Sequence, residues 1–223
     1  MIIVEITRKG CVCMTKKQRA IAIIERLKEV YPEAICSLTA DNPLQLLIAT
    51  RLSAQCTDAR VNLVTPALFA RFPTLEDFAA ADAEEVGEYI RSCGLYKTKA
   101  RDIVAMAVML RDVYGGIIPD TVEELTKLPG VGRKTANLVC GDVYGKPAIV
   151  ADTHCIRITG RLGLTDGSKD PYRVEMQLRK CGAPEESNDL CHRLVLFGRD
   201  TCSARAPKCG ECPLKDICPS ATV

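Results

Sequence analysis

The chain has 223 residues, 47% hydrophobic and 26% charged, a soluble globular balance long enough for one large domain or two small ones. A net charge of +2 and a pI near 7.9 exclude a protein that grips nucleic acid through a global basic field, so any such partner must be held by a few placed groups. Trp is absent and aromatics are 4%, so aliphatic side chains and Ala fill the core, a composition that leans towards helices.

In chain order, residues 1–13 read as a tail holding Cys11 and Cys13, and Met14 is a candidate true start. The order of charge and apolar residues in MIIVEITRKG is wrong for a signal peptide. No apolar stretch is long enough to span a membrane. Both features predict a cytoplasmic chain. Its thirteen cysteines are then reduced or metal-bound.

Apolar spacing predicts a helix over Lys16 to Val30, ended by Pro32. Asp41-Asn42-Pro43 opens a mostly buried helix through LQLLIATRLSAQ. Helices follow over Asp58 to Arg71, after Thr74, over Ala83 to Arg91 and over Lys97 to Tyr114. Asp58 reads as a helix cap or the partner of a basic group. Thr121 starts a short helix that stops at Pro129-Gly130. Gly132 to Tyr144, Thr153 to Leu162, Pro171 to Cys181 and Asn188 to Arg199 complete the set. Convincing alternating strands are missing, so the fold class is all-α. Cys36, Cys56, Cys93, Cys140, Cys155, Cys181 and Cys191 are scattered and read as small buried hydrophobes.

Two stretches carry chemistry. In Leu128-Pro129-Gly130-Val131-Gly132-Arg133-Lys134-Thr135-Ala136, two glycines flank one apolar residue between helices. Such a turn can aim backbone N–H groups at a phosphate at the start of the next helix. A simple helix–helix turn is the plain alternative. The second stretch places Cys202, Cys209, Cys212 and Cys218 six, two and five residues apart. Disulfides fit poorly with a reducing compartment. Structural zinc prefers two short-spaced pairs, and only Cys209 and Cys212 are close. An iron–sulfur cluster also takes four thiolates.

The LPGVGRKTA string resembles the helix-hairpin-helix of the endonuclease III family of DNA glycosylases. The resemblance runs from about Lys16 to Cys218. LLSAQxTD appears as Arg51 to Asp58, GLYxxKA as Gly94 to Ala100, VDTH as Ala151 to His154, and HGR-x-x-C as Phe197 to Cys202. The cysteine spacing matches that family's cluster loop.

The resemblance implies two helical domains. A six-helix domain over 35–146 contains the helix-hairpin-helix, and a discontinuous domain over 14–34 plus 147–223 carries a C-terminal [4Fe–4S] cluster loop. Cys202, Cys209, Cys212 and Cys218 are then the ligands. Arg199, Arg205, Lys208 and Lys215 present charge to phosphates.

It further implies that Lys134 is the nucleophile and Asp152 its catalytic partner, facing it across a cleft. The reaction would remove an oxidised pyrimidine and cut the strand by β-elimination through a Lys Schiff base. The partner is double-stranded DNA with damaged bases or abasic sites, bound by a monomer at the nucleoid. Gln55 and Leu95 would fill the space of the extruded base. Gly130, Val131, Gly132, Arg133 and His154 would also contact DNA, while the resemblance places Asp58 at the lesion pocket.

Outside this motif context Lys134 would be a solvated lysine, Asp152 a helix N-cap and Leu95 a core leucine. His192-Arg193 and Phe197 depart from the family pattern, which weakens carry-over of backbone contacts from that helix. Two alternatives stand beside this reading. One is an adenine glycosylase acting opposite 8-oxoguanine, whose members lack Lys at position 134 and add a C-terminal domain. The other is a non-catalytic DNA-binding iron–sulfur protein.

Overall fold

Helix caps written in the sequence set most of the architecture. A computed structural model describes residues 14–33 and 35–222, so the tail over residues 1–13 lies outside the described residues. In chain order the helices are α1 (Lys16–Val30), α2 (Pro43–Ser53), α3 (Asp58–Arg71), α4 (Leu75–Ala80), α5 (Ala83–Tyr89), α6 (Tyr96–Asp112), α7 (Val122–Leu125), α8 (Arg133–Asp142), α9 (Thr153–Arg161), α10 (Pro171–Leu178) and α11 (Ser187–Asp200). No strand is present among the described residues. The side chains of Thr15, Asn42, Thr57, Thr74, Asp82, Thr121, Asp152 and Asp170 each accept a first-turn N–H at a helix start. Thr57, not the expected Asp58, therefore caps α3.

The chain divides into two compact units. One is the continuous stretch Cys36–Gly145, and the other joins the chain before it to the chain after it. In the continuous unit, α2 runs through the core on Leu47, Ile48, Ala49 and Leu52, all fully buried. It packs on α3, α6 and α8, while α4 and α5 lie along α6. The i, i+3, i+4 set Ala100, Ile103, Met106, Ala107 and Leu110 gives α6 its buried face. Phe72 stacks against Phe78 at 5.2 Å and meets the edge of Tyr89 at 5.9 Å.

In the discontinuous unit, α11 packs on α1 and α9. Arg193 is buried there. Its guanidinium donates to Tyr31 O at 3.1 Å and Pro32 O at 3.4 Å, closing the C-terminal end of α1. Phe197 is core. The departures noted at these positions thus serve packing within α11.

Helix ends differ from expectation by a turn. The segment ending at Arg91 stops at Tyr89 and tightens into a 3₁₀ turn over Arg91–Cys93, because Cys93 N–H donates to Ile90 O before Gly94 turns left-handed. Further 3₁₀ turns form at Pro184–Glu186 and Cys209–Glu211. Of the seven scattered cysteines, five are buried, while Cys36 and Cys56 are half-buried.

Gly198 is where α11 approaches α9 most tightly. A Cβ there would collide with His154 Nδ1 and lie 2.9 Å from both Arg157 Nη2 and Ile158 Cδ1. Ala favours a helix interior by about 1 kcal/mol over Gly, but overpacking costs roughly 1–3 kcal/mol, so the clash prevails. Gly198→Ala should lower the thermal midpoint by a few degrees, at about 2–4 °C per kcal/mol for a chain of this size. Differential scanning calorimetry reads this directly.

Candidate active site and nucleic-acid interface

The hairpin belongs to the continuous unit. Leu128 is buried, Gly130 has φ +73°, and α8 begins three residues later at Arg133. A Cβ on Gly130 would lie 2.5 Å from Arg51 Nε and 2.8 Å from Asp102 Oδ2, so both conformation and space demand glycine. Those two atoms belong to an ion pair. Arg51 donates from Nε and Nη2 to Asp102 Oδ2 at 3.0 and 2.5 Å, tying α2 to α6.

Val131 turns inward. Its side chain is buried and its N–H donates to Leu128 O at 3.1 Å. Its side chain therefore anchors the turn from within. Gly132 and Lys134 are exposed and Arg133 is half-buried. Helix α8 starts at Gly132 with no side-chain cap, so its first-turn N–H groups suit an outside anion.

Gln55 and Leu95 share an unusual backbone state. The non-glycine residues with positive φ among those described are Gln55 (54°), Leu95 (48°) and Ala183 (53°). Left-handed geometry costs an L-residue roughly 1–2 kcal/mol. Leu95 is 63% exposed although it is a large apolar side chain, and Gln55 is exposed too. Their turns are neighbours, since a Cβ on Gly94 would touch Gln55 O at 4.0 Å. Leu95 is itself the N-cap residue of α6, again without a side-chain cap hydrogen bond.

Lys99 lies behind these turns, fully buried. Burial pulls its ammonium below the usual lysine range. The thiol of Cys93 is pushed up to about 11 by burial and by the neighbouring Cys56 thiol.

In the discontinuous unit, Asp152 is the N-cap of α9. Its Oδ1 accepts from Cys155 N–H at 2.7 Å, which fixes the carboxylate orientation. His154 is half-buried, with Nδ1 at 3.3 Å from Arg157 Nη2 and its ring against Gly198. Lys134 and Asp152 belong to different units.

Two residues of α9 that the motif reading did not single out hold the cysteine loop. Arg157 donates to Cys202 O at 2.9 Å. Arg161 donates to Ser203 O at 2.7 Å, Ala204 O at 2.8 Å and Cys202 Sγ at 3.3 Å. Their i, i+4 spacing was the available signal, but a basic pair on a helix ordinarily reads as a solvated face. From α1, Arg26 reaches Asp216 at 2.5 and 2.8 Å and Pro213 O at 3.1 Å. Leu214 and Ile217 anchor the loop in the core.

Cys202, Cys209, Cys212 and Cys218 all line one cavity of about 210 Å³, with Arg161 and Phe197 in its wall. A zinc site draws four sulfurs to about 2.3 Å of one point. Four thiols around one cavity, with Arg161 and the Leu214 N–H donating to sulfur, fit a multi-atom iron–sulfur cluster.

Residues 48–184 match the model of the HhH-GPD superfamily base excision DNA repair proteins, and residues 202–218 match the iron–sulfur binding domain of endonuclease III. The chain is 46% identical over 208 residues to endonuclease III of Synechocystis, covering 93% of this chain and 94% of that one. It is 43% identical to the Bacillus subtilis endonuclease III over 195 residues, covering 87% and 89%. The chain belongs to the endonuclease III family.

A structure described as a trapped endonuclease III–DNA covalent intermediate superposes with a TM-score of 0.87 at 44% identity, covering 93% of this chain and 98% of that one. The chain is accordingly a base-excision DNA glycosylase and abasic-site lyase with a [4Fe–4S] cluster. These matches favour that reading over an adenine glycosylase or a silent DNA-binding protein.

Arg161→Ala removes three hydrogen bonds from the start of the cluster loop. Cluster loss in air, followed by visible absorbance and bound iron, should accelerate by roughly 10-fold or more.

Proposed function

We propose that this endonuclease III family member extrudes an oxidised pyrimidine from damaged duplex DNA, excises it and cuts the strand at the resulting abasic site. The observation that carries the reading is the exposed Lys134 in the first turn of α8, directly after a glycine hairpin with no side-chain cap. The hairpin seats a backbone phosphate on N–H groups of Gly132 and Arg133, and the helix dipole adds roughly 0.3–1 kcal/mol.

The Lys134 amine then attacks C1′ of the extruded nucleotide. The C1′–N bond breaks and its electron pair leaves with the base. Ring opening gives a Schiff base between Nζ and C1′. The imine acidifies the C2′ proton; a base removes it, and the 3′ phosphate departs by β-elimination. Asp152, held by the Cys155 N–H, stabilises positive charge developing on the sugar.

Gln55 and Leu95 enter the vacated space. An exposed leucine held at positive φ is poorly explained by packing and well explained by insertion into a base stack. Cys202, Cys209, Cys212 and Cys218 would hold the cluster, whose chemistry here is the folding of a loop. That loop exposes Arg205, Lys208 and Lys215, and Arg199 is exposed in the last turn of α11. The substrate places the protein in the cytoplasm, at the nucleoid. No described helix is long and apolar enough to cross a membrane.

Borohydride reduction of a reaction on thymine-glycol duplex should trap a covalent protein–DNA adduct with the native chain and none with Lys134→Ala. An undiminished adduct in that variant would disprove the assignment. Asp152→Asn retains a good N-cap, so stability should hold within about 0.5 kcal/mol. Its single-turnover excision rate should nevertheless fall by about 100-fold.

A further inference from the structure

Lys99 is fully buried, yet a buried ammonium is costly unless its hydrogen bonds are well met. A methionine would fill the same space without that cost. The position of the Nζ donors explains the choice. They reach Leu52 O at 2.8 Å and Cys93 O at 2.5 Å. Leu52 is in the last turn of α2, three residues before Gln55, and is one of the helix-end residues whose carbonyls lack a partner within the helix. Cys93 closes the 3₁₀ turn two residues before Leu95. One cation therefore holds the base of both turns whose tips are left-handed.

Each tip carries backbone strain, which persists only where the surroundings over-determine it. A compact ammonium with three rotatable donors can bridge carbonyls from two separate segments, which an apolar side chain cannot. We propose that Lys99 is a positioning residue that locks the Gln55 and Leu95 turns together as one preformed wedge. It touches neither the base nor the reacting sugar. The inference rests on the wedge roles given above to Gln55 and Leu95.

The test uses the full-length, cluster-loaded protein. Its probe is a duplex with a tetrahydrofuran abasic analogue opposite 2-aminopurine, whose fluorescence rises when the base is unstacked. Lys99→Met should abolish most of that rise and lower kcat/KM for excision from duplex by about 100-fold, the scale of a small misplacement at a distance. Borohydride trapping on a single-stranded abasic oligonucleotide needs no wedge and should stay within about 2-fold of the native level. In a Gln55→Ala, Leu95→Ala background, adding Lys99→Met should change duplex activity by no more than about 2-fold, because the residues act as one unit.

Equal losses on single and double strands, an additive loss in the double-alanine background, or no loss at all would each overturn the proposal. If the double-alanine protein itself keeps the full fluorescence rise, the wedge reading fails and takes the Lys99 role with it. If the alanines abolish the rise but Lys99→Met does not, only the Lys99 role fails. Should Lys99→Met not fold, Lys99→Gln, whose shorter side chain falls short of bridging both carbonyls, carries the same comparison. Unfolding of both variants would make Lys99 a determinant of the whole fold and would also overturn the proposal.

Discussion

The half-buried pair between Arg51 and Asp102 is the contact on which the continuous unit depends. Such a pair contributes little net stability, but leaving one partner alone costs about 3–5 kcal/mol. Its larger consequence is geometric. Arg51 sits near the end of α2, which runs out towards Gln55. Asp102 sits near the start of α6, whose N-cap residue is Leu95. Gly130 rests on the paired atoms at a distance that leaves no room for a side chain. One charged contact therefore sets the register of the hairpin against both left-handed turns. A hydrophobic replacement could hold two helices together, but without the directional fork that fixes their register.

The treatment of helix starts follows the same division of labour. Eight helices carry a Ser/Thr/Asp/Asn-type cap that satisfies a first-turn N–H internally. α6, α8 and α11 lack a side-chain cap. Two of these three begin at the residues that the proposed mechanism directs towards DNA. A missing side-chain cap costs roughly 1 kcal/mol, and a helix start without one suits a phosphate oxygen. Asp152 combines the two uses, since the hydrogen bond that starts α9 also orients the proposed catalytic carboxylate.

Much of the helix pattern was legible because caps and breakers act locally. Asn42-Pro43, Thr74 with Asp77, and Thr121 announce helices from a few residues each. The site was legible in a different way, through resemblance of ordered motifs, and that route gave residue identities without their surroundings. Left-handed φ at Gln55 and Leu95 leaves no mark in composition, since neither is glycine or asparagine. Lys99 lies in the charged string Lys97-Thr98-Lys99-Ala100-Arg101 and looks solvated, yet tertiary contacts bury it. The motif likewise gave no sign that the Val131 side chain is buried within the hairpin. Arg157 and Arg161 matter through partners more than forty residues away, a separation that local patterns do not report.

The discontinuity of the second unit has a consequence for biosynthesis. Cys36–Gly145 holds its contacts within one stretch, so it can form as soon as that stretch leaves the ribosome. The other unit waits. Tyr31 and Pro32 need Arg193, and Arg26 needs Asp216, a separation of 190 residues. At about 5–20 residues per second, the nascent chain spends several seconds with its hairpin formed and its cysteine loop unmade. The four cysteines at 202–218 are among the last residues to be made. A chain that stalls late therefore carries the continuous unit already formed, while α1 still waits for the distant residues that hold it.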